Sequence, residues 1–238
     1  MTLTWMRIIA LLGLAIASVS PAMAQQRTEI WDIALGSDVS EIAPGFVEYA
    51  CGTNGGPPSR RLTGFADFAT CRPEANGLHE VYFRYDDTQE FVARALEQGR
   101  DVMRFGGTVA YDFPVMVSLL IDDTGIVQGK RIITDARPAY RTARARYEFW
   151  TLGNLLRNQF GADWSCTDLD AAEGERPVGT YLIKRECRLD GAEGSLSIEQ
   201  RYLQKPGQVF VDPQNQHFQP EAFESTTRFE QLASGIAG

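Results

Sequence analysis

In Tyr111-Asp-Phe-Pro-Val-Met-Val-Ser-Leu-Leu-Ile-Asp-Asp-Thr-Gly-Ile-Val-Gln-Gly-Lys-Arg-Ile-Ile-Thr134, the run Val115 to Ile121 is the most apolar and β-branched beyond the first residues of the chain. Val115 to Ile121 reads as one strand and Ile126 to Ile133 as its return. Between them, Asp-Asp-Thr-Gly supplies a tight reversal in which Gly125 can take positive φ. A hairpin this apolar needs cover on at least one face. The candidate covers are a helix before it, Thr88 to Gln98, and a longer helix after it, Pro138 to Phe160. The expected fold is therefore α+β: mainly antiparallel sheet, with a central hairpin at about 115–133 packed by a long helix at about 138–160.

The N-terminus sets the compartment. Arg7, an apolar run from Ile8 to Ala17 and the small-residue signal Ala22-Met-Ala24 read as a secretory signal peptide cleaved after Ala24. The run is short of the roughly 20 residues that a membrane span needs. No cysteine follows it directly, so a lipid anchor is not expected, and the mature chain is expected to be soluble, periplasmic or secreted. Four cysteines in an exported chain imply disulfides. Three pairings are possible. Cys51 with Cys71 and Cys166 with Cys187 are favoured, because each pair brackets turn-forming sequence between two expected strands.

Outward from the hairpin, Thr28 to Leu35, Phe46 to Ala50, Leu62 to Cys71 and Leu78 to Tyr85 read as strands. The helix at Thr88 to Gln98 places Phe91, Val92, Ala95 and Leu96 on one face, which is expected to pack inward. Beyond the long helix come an acidic loop, Asp168 to Glu175, and strands Thr180 to Cys187 and Ser195 to Leu203. An extended Pro- and Gln-rich arm follows over Lys205 to Pro220, and Glu221 to Leu232 is a last strand or short helix. The order Cys-Arg, Gly-containing turn, Arg-Tyr occurs at 71–85 and again at 187–202. Residues 25–110 and 111–238 can thus be read as two degenerate disulfide-stapled halves, or as two unrelated hairpins that look alike.

The net charge of −8 disfavours a sequence-independent nucleic-acid binder. His79 alternates with Val81, Phe83 and Tyr85, at the edge of a packed face, and His217 lies in the arm. Neither has a partner at metal-ligand spacing, so neither a metal nor a cofactor is expected. Asp86-Asp87, Asp122-Asp123 and Asp168 to Glu175 fall at turns and strand ends, where aspartate satisfies local backbone. No Gly-x-Ser-x-Gly and no phosphate-cradling loop is present. The least ordinary feature is a basic run: Lys130, Arg131, Arg137, Arg141, Arg144 and Arg146 against the single acid Asp135. Arg137, Arg141 and Arg144 fall at helical spacing and form a candidate site for an anionic ligand or acidic protein partner; the alternative is a solvated face paired with the acids of 168–175.

Leu35-Gly-Ser-Asp-Val-Ser-Glu-Ile42 before a strand is similar to the helix-then-sheet opening of small α+β envelope proteins, such as the accessory lipoprotein of the outer-membrane β-barrel assembly machinery. The chain departs from that family in its disulfides and in lacking a lipidated cysteine, and no functional residue carries over. The expected function is that of an exported soluble envelope protein that binds a partner or an anionic envelope component without catalysis. The alternative is a carboxylate-dependent envelope hydrolase, with His79 as a candidate participant.

Overall fold

The hairpin holds the middle of a sheet that no short stretch of sequence outlines. The computed structural model describes residues 27–100, 102, 107–137, 146–191, 194–205, 207, 209–211, 218–220 and 223–236. Its strands are β1 (Phe46–Cys51), β2 (His79–Tyr85), β3 (Val109–Ala110), β4 (Phe113–Ile121), β5 (Val127–Thr134), β6 (Ser165–Asp168), β7 (Ile183–Gly191), β8 (Gly194–Gln204), β9 (Val209–Val211), β10 (Phe218–Pro220) and β11 (Phe223–Leu232). The α-helices are α1 (Thr88–Ala95) and α2 (Leu152–Phe160), and 3-10 turns lie at Ile30–Asp32, Val39–Glu41, Phe65–Thr70 and Arg146–Thr151. Among the described residues, β1-β2-β4-β5-β11-β8-β7-β6 form one antiparallel sheet with β3 appended to β4, and β9 and β10 pair separately. The fold is mostly antiparallel sheet with few helices and two disulfides.

The reversal between β4 and β5 forms as its residues dictate. Gly125 has φ +89°, and Asp122 Oδ1 accepts from the backbone N–H of Thr124 at 2.9 Å and of Ile126 at 3.1 Å. Burial opposes ionisation of Asp122, but hydrogen bonds from Thr124, Gln128 and Ile126 outweigh it and hold the carboxyl below its usual range.

Strand periodicity sorts the two faces of the sheet. Phe83, Val117, Ile132, Phe229, Ile198 and Cys187 lie side by side across six strands, each at most 1% exposed. One residue along, the opposite face carries Tyr82, Ser118, Arg131, Glu230, Ser197 and Arg188. The apolar face is sealed by Trp31 and Phe160, whose rings lie 5.7 and 5.3 Å from Phe229, by Phe149, Leu152 and Leu156, and by Phe65 against Phe46 and Phe83. The disulfides Cys51–Cys71 and Cys166–Cys187 are both formed; the second ties β6 to β7 as a directly paired cross-strand couple.

Several expectations need correction. Residues Thr28 to Leu35 and Leu62 to Cys71 are not strands: they carry the 3-10 turns at Ile30–Asp32 and Phe65–Thr70, which drop Ile30 and Phe65 into the core as caps over the sheet. α1 turns its apolar stripe outward, with Phe91 75%, Val92 49% and Leu96 60% exposed. The buried side is Glu90 and Ala93, because Glu90 Oε2 accepts from Gly107 N at 2.6 Å and Oε1 binds Arg94. The acids of 168–175 do not neutralise Arg137: Asp168 pairs with Arg185 and Glu175 with Lys184. Finally, the arm contains the short β9–β10 pair. Of the helix expected over 138–160, residues 138–145 lie outside the described residues, and the remainder is the 3-10 turn Arg146–Thr151 followed by α2. One sheet runs through both the 25–110 and 111–238 spans, joined where β2 pairs β4.

α2 packs so closely on β8 and β11 that one position has no room for a side chain. Gly153 N donates to Thr227 Oγ1 at 3.2 Å, and a Cβ there would collide with the Gln200 side chain. Gln200 cannot swing aside freely, since its Nε2 donates to Trp150 O at 2.6 Å and Asn154 Oδ1 at 3.1 Å. Gly153→Ala is therefore expected to destabilise the protein by about 1–3 kcal/mol, the usual cost of overpacking, despite the better helix propensity of alanine. A urea midpoint at or above that of the unmodified protein would refute the contact.

Candidate functional site

The polar face of the sheet carries two connected features, a buried ion cluster and an open cleft. Arg131 on β5 points out of this face, yet its side chain is only 3% exposed. Its Nη1 and Nη2 grip Glu74 in a two-point contact at 2.6 and 2.9 Å. Nη1 also lies 3.0 Å from Glu80 Oε2, and Nε donates to Glu230 Oε2 at 2.7 Å. Glu80 in turn accepts from Asn54 N at 2.6 Å, which pins the Gly-Pro loop after β1 over β2, β4 and β5. Burial acts to lower the Arg131 pKa, but the hydrogen bond to Glu74 and the fields of Glu80, Glu230 and Glu74 reverse it, so the guanidinium stays charged. The Arg131 cluster is a clamp for the loop that lies over β2, β4 and β5 on the polar face.

Among the described residues, the polar face over β7, β8 and β11 stays open. A cleft of about 490 Å³ lies over β7, β8 and β11, lined by Glu186, Arg188, Glu199, Arg228 and Glu230, with Leu232 and Ile236 at one end. Its floor is a set of lateral rows: Glu186 opposite Glu199 opposite Arg228, then Arg188 opposite Ser197 opposite Glu230, then Asp190 opposite Ser195 opposite Leu232. Arg228 is committed to Glu230 at 3.0 Å. The volume is in the range of small-ligand and peptide-side-chain pockets.

The sequence-selected residues fall elsewhere. Arg137 is held by Asp135, its Nε and Nη2 each 2.8 Å from a carboxylate oxygen. That hydrogen bond, against the opposing effect of burial, raises the Arg137 pKa. Arg141 and Arg144 lie outside the described residues, as do His217 and the segment 1–24. Lys130 and Arg131 do not belong to a surface basic patch, being 6% and 2% exposed. His79 is brought to a carboxylate: its Nε2 lies 2.9 Å from Asp123 Oδ1 and its Nδ1 2.7 Å from Cys71 O. Both ring nitrogens thus face acceptors, and His79, itself 6% exposed, lines neither the cleft nor the loop-covered pocket. Asp86 accepts from Thr88, and Asp87 binds Arg84. Among the described residues, no group of three or more His, Cys, Asp or Glu is placed to hold a metal ion. Among them, too, no helix is long and apolar enough to cross a membrane.

Sequence reasoning missed the cleft. The available signal was the period-2 alternation of Glu186, Arg188 and Asp190 along β7, but only the register of β8 and β11 shows that this polar edge continues into a floor. No family model, curated protein or solved structure matches the chain.

Proposed function

We propose that this is an exported binding protein that receives a partner in the cleft over β7, β8 and β11, without catalysis. The supporting observation is a ligand-sized concavity over β7, β8 and β11 that no described loop covers, floored by sheet. A scaffold of long paired strands suits preorganised binding, because the floor side chains are positioned by ladder hydrogen bonds and a cross-strand disulfide. Export through a signal peptide cleaved after Ala24 is part of the proposal, as is a degenerate duplication in which the Cys-Arg to Arg-Tyr segments ending in β2 and β8 correspond.

The experiment compares two variants. Immobilised protein is exposed to an envelope extract from the source cell, and retained proteins are identified by mass spectrometry. Ser197→Trp fills the cleft floor and is expected to abolish retention of the partner while the circular dichroism spectrum is unchanged; Arg137→Ala is expected to leave retention intact. The opposite pattern would move the site to the Arg137, Arg141 and Arg144 run, where an anionic or acidic partner would dock.

A further inference from the structure

Most charged side chains on the described sheet are paired: Arg185 with Asp168, Lys184 with Glu175, Arg228 with Glu230, Arg131 with three glutamates. The outward stripe of β7 is different. Glu186, Arg188 and Asp190 are exposed, and none makes a hydrogen bond or ion pair among the described residues. They occupy alternate positions, so they form a row of sign minus, plus, minus, with neighbours roughly 7 Å apart. Glu186 also stands directly opposite Glu199 in the β7–β8 ladder, a like-charge pairing that costs stability unless a cation lies nearby. Arg201 reaches Glu199 only at 3.3 Å, and Arg228, on the far side of Glu199, is committed to Glu230. In the row of Asp190 the floor ends on β11 at Leu232, which packs with Ile236.

We infer that the cleft takes an extended segment of a partner protein with two basic residues four positions apart and an acidic residue midway. The inference rests on the cleft being the binding site. An extended chain repeats its side chains with the same period as β7, so a base, acid, base pattern meets Glu186, Arg188 and Asp190 in register. The first base neutralises Glu186 and shares Glu199 with Arg201. Charge pairing at this partly open surface sets specificity and register more than raw affinity.

Fluorescence anisotropy with labelled synthetic peptides tests the assignment. Lys-Thr-Glu-Thr-Lys is expected to bind about tenfold more tightly than Glu-Thr-Lys-Thr-Glu at low ionic strength, with the preference shrinking as salt is raised. The double variant E186K/D190K, checked for an unchanged circular dichroism spectrum, is expected to prefer the second peptide. Equal binding of the two peptides, a preference of the unmodified protein for the second, or a preference unmoved by the double variant overturns the inference. If neither peptide binds while Ser197→Trp still abolishes retention of an extracted partner, the peptide class is wrong and the cleft reading stands. If Ser197→Trp has no effect, both fall.

Discussion

Replacing Arg131 with methionine is expected to cost about 3–5 kcal/mol of folding stability, the range found when one member of a buried ion cluster is removed. Methionine matches much of the side-chain volume, so the loss comes from what it leaves behind rather than from a cavity. Glu74, Glu80 and Glu230 all converge on the guanidinium within 3.0 Å, and their side chains are 23%, 6% and 11% exposed. Without Arg131, Glu80 keeps only the Asn54 N–H among the described residues, Glu230 keeps Arg228, and Glu74 and Glu80 are left there without a cation. Against a typical total of about 5–15 kcal/mol, this is a large fraction.

Urea unfolding near neutral pH measures the effect as a fall in midpoint at unchanged slope. A loss below about 1 kcal/mol would show that water reaches the cluster and that the contacts are of the weak, surface kind. The variant with Glu74, Glu80 and Arg131 all replaced by apolar residues of similar size is expected to recover much of the loss, because desolvation of the whole group is then no longer required. Loop position supplies a second readout. Amide exchange at Asn54 should accelerate in Arg131→Met, since Glu80 loses the cation that fixes it beneath that N–H.

The central hairpin was legible because its signals are local: β-branched residues over Val115 to Ile121, an Asp at the start of the turn and a glycine where positive φ is needed. The disulfide pairing was legible for a similar reason, each bond closing a span of 20 or 21 residues. The place of β11 was not. Glu221 to Leu232 reads as a last strand or a short helix, and the strand is what forms, over Phe223–Leu232. Its place between β5 and β8 depends on pairings such as Phe229 with Ile132, far apart along the chain. Such contacts leave no trace in a local window. α1 misled in another way: helical spacing identifies an apolar stripe but cannot say which side a neighbour covers, and here Glu90 and its bond to Gly107 decide the side. The basic run divides on folding. Strand alternation sends Lys130 and Arg131 to opposite faces of a central strand, one into the apolar core and the other into the ion cluster, so neither contributes to a surface field.

Lys130 should respond in the opposite direction to its neighbour: Lys130→Met is expected to stabilise the protein by about 3 kcal/mol at neutral pH. The ammonium lies on the apolar face, cross-strand from Leu119, which is fully buried, and from Gln231. It makes no hydrogen bond among the described residues. Burial pushes its pKa down from 10.5 to about 8, with the field of Asp32 only partly opposing this. A base whose folded pKa is depressed binds fewer protons folded than unfolded between those two values, so stability rises with pH across that window. Below about pH 8 the amine is charged in both states and the full burial penalty applies; above about pH 10.5 it is neutral in both and the penalty is gone. The difference in unfolding free energy between Lys130→Met and the unmodified protein should therefore be largest near pH 7 and shrink steadily toward pH 10.5, while contributions from other groups cancel in the subtraction. Asp32 is exposed, so loss of its distant cation subtracts little. Urea titrations at several pH values across this window provide the measurement. A difference that stays flat, or a methionine variant less stable than the parent at pH 7, would mean that the ammonium reaches water or a carboxylate and that this core position was never paying for a buried charge.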